Sequence, residues 1–233
     1  SDLLGITLAF GGIAAGLLLE GGQLSQILQP TAALIVFGGT AGAVLLQFPL
    51  TTVGAALARL RAILAEPGVD SRAIIGELVD YSTRARRDGI VSLDGTAQAI
   101  RDPFLRKSLL LAIDGTEPAE LRRMMELELE NQAEQDEKIP HLYEAAGGFA
   151  PTVGIIGAVL GLIQVMQKLD NIGEVGKGIA VAFVATIYGV GFANLFCLPA
   201  AGKLRIRIRE EQSRREMMLE GVLSILDRKS TRL

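Results

Sequence analysis

Four long stretches without a charged side chain constrain this 233-residue chain more than any other feature of its sequence. They run from Leu3 to Leu19, from Thr31 to Leu50, from Ala145 to Met166 and from Gly178 to Gly202. A helix needs about 20 mainly apolar residues to cross the roughly 30 Å hydrocarbon layer of a membrane, and buried helices of soluble domains have shorter apolar runs. The sequence therefore predicts an all-α integral membrane protein with four transmembrane helices.

The basic residues predict how these four spans are oriented. Of the 23 Lys and Arg residues, 21 lie in residues 51–144 and 203–233, and the two short connections between paired spans hold only Lys168 and Lys177. Because loops rich in Lys and Arg stay in the cytoplasm, both termini and the long middle segment are predicted to be cytoplasmic.

The order of these segments predicts four parts. Residues 1–50 form a first transmembrane hairpin, 51–144 a cytoplasmic helical insert, 145–202 a second hairpin and 203–233 a cytoplasmic C-terminal helix that prolongs the fourth span. Within the insert, apolar residues recur at helical spacing over 57–64, 74–81 and 104–113, and Pro67-Gly68 interrupts the pattern after the first of these. Thr116 is the predicted N-cap of an acidic helix that leads towards the third span.

Small residues share one face of the third and fourth spans. In the third span they are Ala150, Gly154, Gly157, Ala158 and Gly161, and in the fourth Ala182, Thr186, Gly189 and Ala193. Such faces allow helix backbones to approach closely, and Gly38 and Gly42 repeat the spacing in the second span. The pattern predicts a packed bundle that contains several chains.

Two prolines lie near the predicted cytoplasmic ends of the third and fourth spans, Pro151 and Pro199. A proline removes one backbone donor and ends or kinks a helix. Spacing alone leaves two alternatives open, simple helix termination and a kink that transmits movement between membrane and cytoplasm.

The spans hold no acidic side chain, and their polar groups include only a few residues such as Thr186 and Tyr188. Carriage of a proton or cation through lipid normally uses an intramembrane Asp, Glu or His, so a partner must supply the carboxylate if this chain carries ions. A single Cys and a single His exclude a disulfide framework and a Cys/His metal cluster drawn from this chain. Since no nucleophile and base pair is evident, neither an enzyme nor a cofactor is predicted.

Three segments carry a resemblance to a known family. They are RRDGIVSLD at residues 86–94, APTVGIIGAVLG at 150–161, and ATIYGVG at 185–191 followed by Pro199. With these motifs the chain resembles the flagellar stator subunits of the MotA/TolQ/ExbB family, and the order of spans, insert and tail matches over nearly the full length.

The resemblance implies a motor subunit of the bacterial inner membrane that forms a homo-pentameric ring around a MotB-like partner. The partner's transmembrane Asp would carry the ion, and the insert would push on the rotor protein FliG. The positions that match family motifs are Arg86, Arg87 and Asp94 for rotor binding, Pro151 and Pro199 for coupling, and Thr186, Ala158 and Tyr188 for the ion pathway. Asp94 stands where the family usually has Glu, which has one more methylene.

The resemblance also bears on the ion and on alternative functions. Sodium-driven relatives tend to have a second Thr where this chain has Ala158, so a proton is expected rather than Na⁺. An ExbB- or TolQ-like energiser of an envelope process is one alternative, but it would have three spans and no motif like that of residues 86–94. A membrane scaffold that conducts no ions is another, and a membrane-embedded enzyme is the least supported.

Overall fold

The computed structural model describes residues 2–65 and 71–230 of the chain, and these are almost entirely helical. Pro67-Gly68, the predicted break in the insert, lies outside the described residues. The described part divides into two compact units, one made of residues up to Ala65 together with Lys138–Arg205, and the other of residues from Ser71 to Glu137 together with 206–230.

The first unit begins with the apolar helices. Helix α1 spans Asp2–Leu19, and after a 3₁₀ turn at Leu24–Gln26 helix α2 spans Pro30–Gln47. Helix α3 spans Leu50–Ala65. Helix α7 spans Pro118–Gln167, and helix α8 spans Ile172–Phe192, followed by a π-helical turn at Ala193–Cys197. Helix α9 spans Leu198–Ser230, so α7 and α9 contribute to both units.

In the part of the chain that the structure describes, three helical stretches are long and apolar enough to cross a membrane: Pro30–Gln47, part of Pro118–Gln167 and part of Ile172–Asp227. The apolar part of α1, Thr7–Leu19, is shorter than these. A membrane crossing by the first segment therefore stays a prediction.

The second span was predicted to run to Leu50, but its helix ends at Gln47. The next residue, Phe48, is extended, with φ −119° and ψ 142°. Pro49 explains this, because the residue before a proline is forced out of the helical region.

The second unit contains α4 at Ser71–Asp88, α5 at Asp94–Ala99 and α6 at Pro103–Ile113, which pack with the ends of α7 and α9. Its core includes buried residues from each of these helices, among them Leu78, Ala97, Leu109, Met125 and Val222. The helical pattern predicted for the insert is confirmed in these described residues. The predicted N-cap Thr116 is wrong by position, because α7 begins two residues later at Pro118, a residue favoured in the first turn.

Candidate functional site

The backbones of α7 and α8 approach closely along the small-residue faces. A Cβ built on Gly161 would stand 2.8 Å from the carbonyl oxygen of Gly178, and one on Gly154 would stand 2.9 Å from that of Ala185. On the other helix, a Cβ on Gly189 would stand 2.5 Å from the carbonyl oxygen of Ala150. The predicted close approach of a second helix is thus made within this chain, between the third and fourth apolar segments.

The second span uses a different glycine from the predicted pair. A Cβ on Gly38 or Gly42 would meet no described atom within 4 Å, whereas one on Gly39 would stand 2.7 Å from Val153 of α7. Helix α2 therefore packs on α7 through Gly39, and the Gly38 and Gly42 positions are open within this chain.

The structure places two of the three predicted ion-pathway residues on the same side of the pair formed by α7 and α8. A Cβ on Gly157 would stand 2.8 Å from the Cβ of Ala185, so these residues face each other across α7 and α8. Ala158 and Thr186 each follow one of them. Each residue of a helix is rotated by about 100° from the one before it. In an antiparallel pair, the residues that follow two facing residues are therefore both turned towards the same side of the pair. Ala158 and Thr186 consequently lie on the same side of α7 and α8.

The hydroxyl of Thr186 is half-buried and donates to the carbonyl oxygen of Ala182 at 3.2 Å. This bond, from a threonine to the carbonyl four residues earlier, is common in membrane helices. It satisfies the hydroxyl proton while leaving the oxygen lone pairs available to an incoming ligand.

Tyr188 lies on the other side of α8, apart from Ala158 and Thr186. Its hydroxyl donates to the carbonyl oxygen of Ile27 at 2.5 Å and accepts from the backbone N–H of Gln29 at 3.3 Å. Its ring stacks on Phe37 of α2, with the ring centres 5.8 Å apart. The structure places Tyr188 as a contact between α8, α2 and the turn before α2.

The two predicted coupling prolines do not end their helices. Helix α7 runs through Pro151, and α9 continues for many residues beyond Pro199. Each proline still leaves one carbonyl without its donor four residues later, that of Gly147 in α7 and that of Leu195 before α9. The backbone of both helices is therefore weakened at one point.

Two π-helical turns were missed by sequence reasoning, at Leu34–Gly38 in α2 and at Ala193–Cys197 between α8 and α9. Phe37 from the first turn packs edge-on against Phe192, which directly precedes the second, with ring centres 5.2 Å apart. Such turns insert one residue into a helix and occur often at functional sites. No sequence signal known to us would have revealed them.

The predicted rotor-binding residues lie in the second unit, around the end of α4. Helix α4 ends at Asp88, and the next residue, Gly89, has a φ of 83°, a conformation that favours glycine. A 3₁₀ turn at Ile90–Leu93 follows, with the side chains of Ile90 and Leu93 buried. Arg86 and Asp94 are both exposed on either side of this turn.

The two adjacent arginines differ in their contacts. Arg87 donates to both carboxylate oxygens of Asp88, at 2.9 to 3.1 Å, and this contact lowers the pKa of the Asp88 carboxyl. Arg86 forms no ion pair with any residue that the structure describes. Asp94 accepts a long hydrogen bond of 3.5 Å from Gln98. Of the three candidate rotor-binding residues, Arg86 and Asp94 are thus more available to another molecule than Arg87.

The connection between α7 and α8 carries a small ion cluster. Glu174 contacts Lys168 at 2.8 Å and Lys177 at 3.0 Å, and hydrogen bonds from both ammonium groups lower the pKa of Glu174 to about 2. Asn171 caps α8 by accepting from the backbone N–H groups of Gly173 and Glu174. Among the described residues, no group of three or more His, Cys, Asp or Glu side chains could hold a metal ion.

Two family models match this chain. The model of the MotA/TolQ/ExbB proton channel family matches residues 96–217, and that of the motility protein A N-terminal region matches residues 3–87. The chain belongs to the MotA/TolQ/ExbB proton channel family. Of the candidate residues of this family member, Ala158, Thr186, Tyr188, Pro151 and Pro199 lie in the first match, Arg86 and Arg87 in the second, and Asp94 between them.

Individual members of the MotA/TolQ/ExbB family are similar to this chain in sequence and structure over nearly its whole length. Motility protein A of Bacillus subtilis is 34% identical over 231 residues, which are 97% of this chain and 84% of that protein. The C. jejuni MotAB structure matches with a TM-score of 0.91 at 29% identity, covering 97% of this chain and 89% of that one. The flagellar MotAB stator complex of Bacillus subtilis matches with a TM-score of 0.88 at 34% identity, with the same two coverages.

Proposed function

We propose that this chain is a flagellar motor stator subunit which, with a MotB-like partner, conducts ions across the membrane and converts the flow into torque on the rotor. The observation that carries this proposal is the match to the MotAB stator complexes over 97% of the chain, at TM-scores of 0.91 and 0.88. An ion-channel type of motor subunit, as distinct from an enzyme, is also the role indicated by the family.

The ion pathway of this proposal runs along the side of α7 and α8 that holds Ala158 and Thr186. The apolar segments of the chain contain no acidic residue, so the MotB-like partner supplies the ion-carrying Asp. The Thr186 hydroxyl lies on that side with free lone pairs and offers an oxygen to the passing ion. Tyr188 faces α2 and has a packing role in this proposal, not a role in conduction.

The proposed ion is a proton. A sodium ion must replace its hydration shell with several oxygen ligands, and Ala158 has none to offer beside Thr186. A proton needs only a group that binds and releases it, which the Asp of the partner provides.

The proposed topology has four spans in the bacterial inner membrane, both termini in the cytoplasm and the insert 51–144 on the cytoplasmic side. The distribution of basic residues supports it, with 21 of 23 in the two segments assigned to the cytoplasm. Five copies form a ring around the partner, and the open faces at Gly38 and Gly42 are available for contacts between copies.

Torque is transmitted in this proposal through the exposed charges beside the 3₁₀ turn of the insert. Arg86 and Asp94 contact charges of opposite sign on the rotor protein FliG. Each elementary charge that crosses 100 mV releases about 2.3 kcal/mol, so movement is driven by the membrane potential and requires no bound fuel.

The test is to express the chain with a MotB-like partner in cells that lack their native stator, and to measure torque while external Na⁺ is varied at fixed pH. Torque that needs both proteins and does not follow Na⁺ is expected. Torque that tracks Na⁺ would exclude the proton. An ion flux without rotation of the motor would favour an ExbB- or TolQ-like energiser. A complex that forms but gives neither ion flux nor rotation would favour a scaffold.

A further inference from the structure

A bidentate ion pair joins the helices that continue the third and fourth spans. Arg205 of α9 donates to Glu144 of α7 through both terminal nitrogens, with Nη1 2.7 Å from Oε1 and Nη2 3.2 Å from Oε2. The two residues are 61 positions apart in the chain, and their side chains are 33% and 35% exposed. This fork geometry fixes orientation as well as distance, because both hydrogen bonds must form together.

The ion pair follows the close backbone contact between α7 and α8, further along α7 towards its N-terminus and along α9, which continues α8. The backbones meet at Ala150 and Gly189, and a Cβ on Gly147 would stand 3.1 Å from the Leu198 side chain. Glu144 comes one turn before Gly147 along α7, and Arg205 comes two turns after Leu198 along α9. The helices are therefore held together at two levels, by backbone packing at the first, and at the second by the ion pair together with a buried apolar cluster that includes Leu142, Ala146 and Leu204.

Both proline breaks fall between these two levels. The carbonyl of Gly147, which Pro151 deprives of a donor, lies between Ala150 and Glu144 in the sequence. Leu195, which is four residues before Pro199, lies between Gly189 and Arg205, inside the π-helical turn at Ala193–Cys197. Bending at either proline would change the position of Glu144 or of Arg205.

We propose that Glu144 and Arg205 are positioning residues of the motor, which lock α7 to α9 beyond the two prolines so that both helices bend together. Sliding of one helix past the other by one turn, about 5.4 Å, would break both hydrogen bonds of the pair. A movement that starts at Pro151 is thereby passed to α9, and one that starts at Pro199 is passed to α7. The inference rests on the proposed stator function and names the pair that couples its two helices.

A role in coupling is separable from a role in stability. Partly exposed ion pairs contribute little to folding, so loss of this pair leaves the complex assembled. What is lost is the transmission of movement, which appears as less torque for the same ion flux.

The experiment uses the full chain with its MotB-like partner in cells that lack the native stator. The variants are Glu144→Gln, Arg205→Gln and the exchange of both charges, Glu144→Arg with Arg205→Glu. Arg207→Gln is the matched control, because Arg207 lies on the same helix and, among the described residues, has its ion pair with Glu210, three residues further on. Membrane abundance, ion flux and torque are measured for each.

We expect both single variants to reach wild-type abundance and flux but to give about threefold less torque per unit of flux. The charge exchange should recover much of the loss, and Arg207→Gln should match the wild type. Wild-type torque per flux in both single variants would overturn the proposal, as would a charge exchange that recovers nothing. Loss of the assembled complex in the single variants would also overturn it, since the pair would then be structural. If the wild type gives neither flux nor torque, the proposed function itself fails.

Discussion

Gly189 lies so close to Ala150 that a Cβ on Gly189 would stand 2.5 Å from the Ala150 carbonyl oxygen and 3.1 Å from the Cα of Gly154. Both neighbours are backbone atoms of α7, which cannot rotate away as a side chain can. Replacement of Gly189 by alanine must therefore separate the two helices.

For Gly189→Ala we expect the free energy of unfolding to fall by about 1–3 kcal/mol, the usual cost of adding an atom to a well-packed contact. Thermal unfolding of the purified complex would measure it. Gly191→Ala is the matched control, because a Cβ on Gly191 meets nothing described within 4 Å. Equal stability of the two variants would contradict the observed helix approach.

Replacement of Tyr188 by phenylalanine separates packing from conduction. The variant keeps the ring that stacks on Phe37 but loses the hydroxyl bonds to Ile27 and Gln29. We expect a loss of about 1 kcal/mol in stability with torque preserved. Thr186→Ala, measured beside it, should reduce ion flux instead. A loss of flux in Tyr188→Phe at normal abundance would return Tyr188 to the ion pathway.

The two arginines before the 3₁₀ turn should differ in their effect on rotor binding. Arg87 already donates to Asp88, whereas Arg86 forms no ion pair with a described residue. We expect Arg86→Gln to weaken binding of the rotor protein by up to about 1 kcal/mol, or about fivefold, and Arg87→Gln to weaken it less. Binding and torque should be measured at several salt concentrations, because the difference should shrink as salt screens the charges. The opposite order would place the rotor contact at Arg87.

Charge reversal extends this test to Asp94, which is exposed on the other side of the turn. Arg86→Glu and Asp94→Lys should each lower torque while the complex remains assembled. Compensating reversals on the rotor protein should restore part of it. Normal torque in both variants would remove these two residues from the rotor contact.

The ion cluster between α7 and α8 should make local stability depend on pH. Contacts with Lys168 and Lys177 lower the pKa of Glu174 to about 2, from an ordinary value of 4.5. A carboxyl with a lowered pKa stabilises the folded state above its unfolded pKa, and this contribution is lost as pH falls from about 4.5 towards 2.

The stability difference between wild type and Glu174→Gln should therefore be constant above about pH 5 and disappear near pH 2. Hydrogen exchange of the α7 to α8 connection would report it. Asp170→Asn is the control, because Asp170 lies on the same connection, is exposed and has no ion pair with a described residue. A difference that persists unchanged to pH 2 would exclude the ionised carboxylate as its cause.

Several features of the fold were readable from periodicity and composition. The three long apolar helices found among the described residues, the helices within 71–113 and the continuation of the fourth apolar segment into α9 all follow from local patterns of apolar and charged residues. The close approach of α7 and α8 followed from the spacing of Gly154, Gly157 and Gly161, since only small residues permit it.

Other features depend on residues that are distant in the sequence. Tyr188 bonds to Ile27, and Arg205 pairs with Glu144. Both contacts follow from how α2, α7, α8 and α9 pack, and no local pattern specifies that packing. The choice of Gly39 over Gly38 and Gly42 as the contact of α2 is of the same kind.

The sequence by itself determined which segments are helical, which of them are apolar enough for a membrane and which faces carry small residues, because these properties depend on neighbours within a few positions. Only the tertiary structure decided that Ala158 and Thr186 share a side while Tyr188 does not, and that π-helical turns form within α2 and between α8 and α9. A single extra residue in such a turn rotates everything beyond it by about 100°. Whether that turn forms is decided by the packing of partner helices and not by the local sequence.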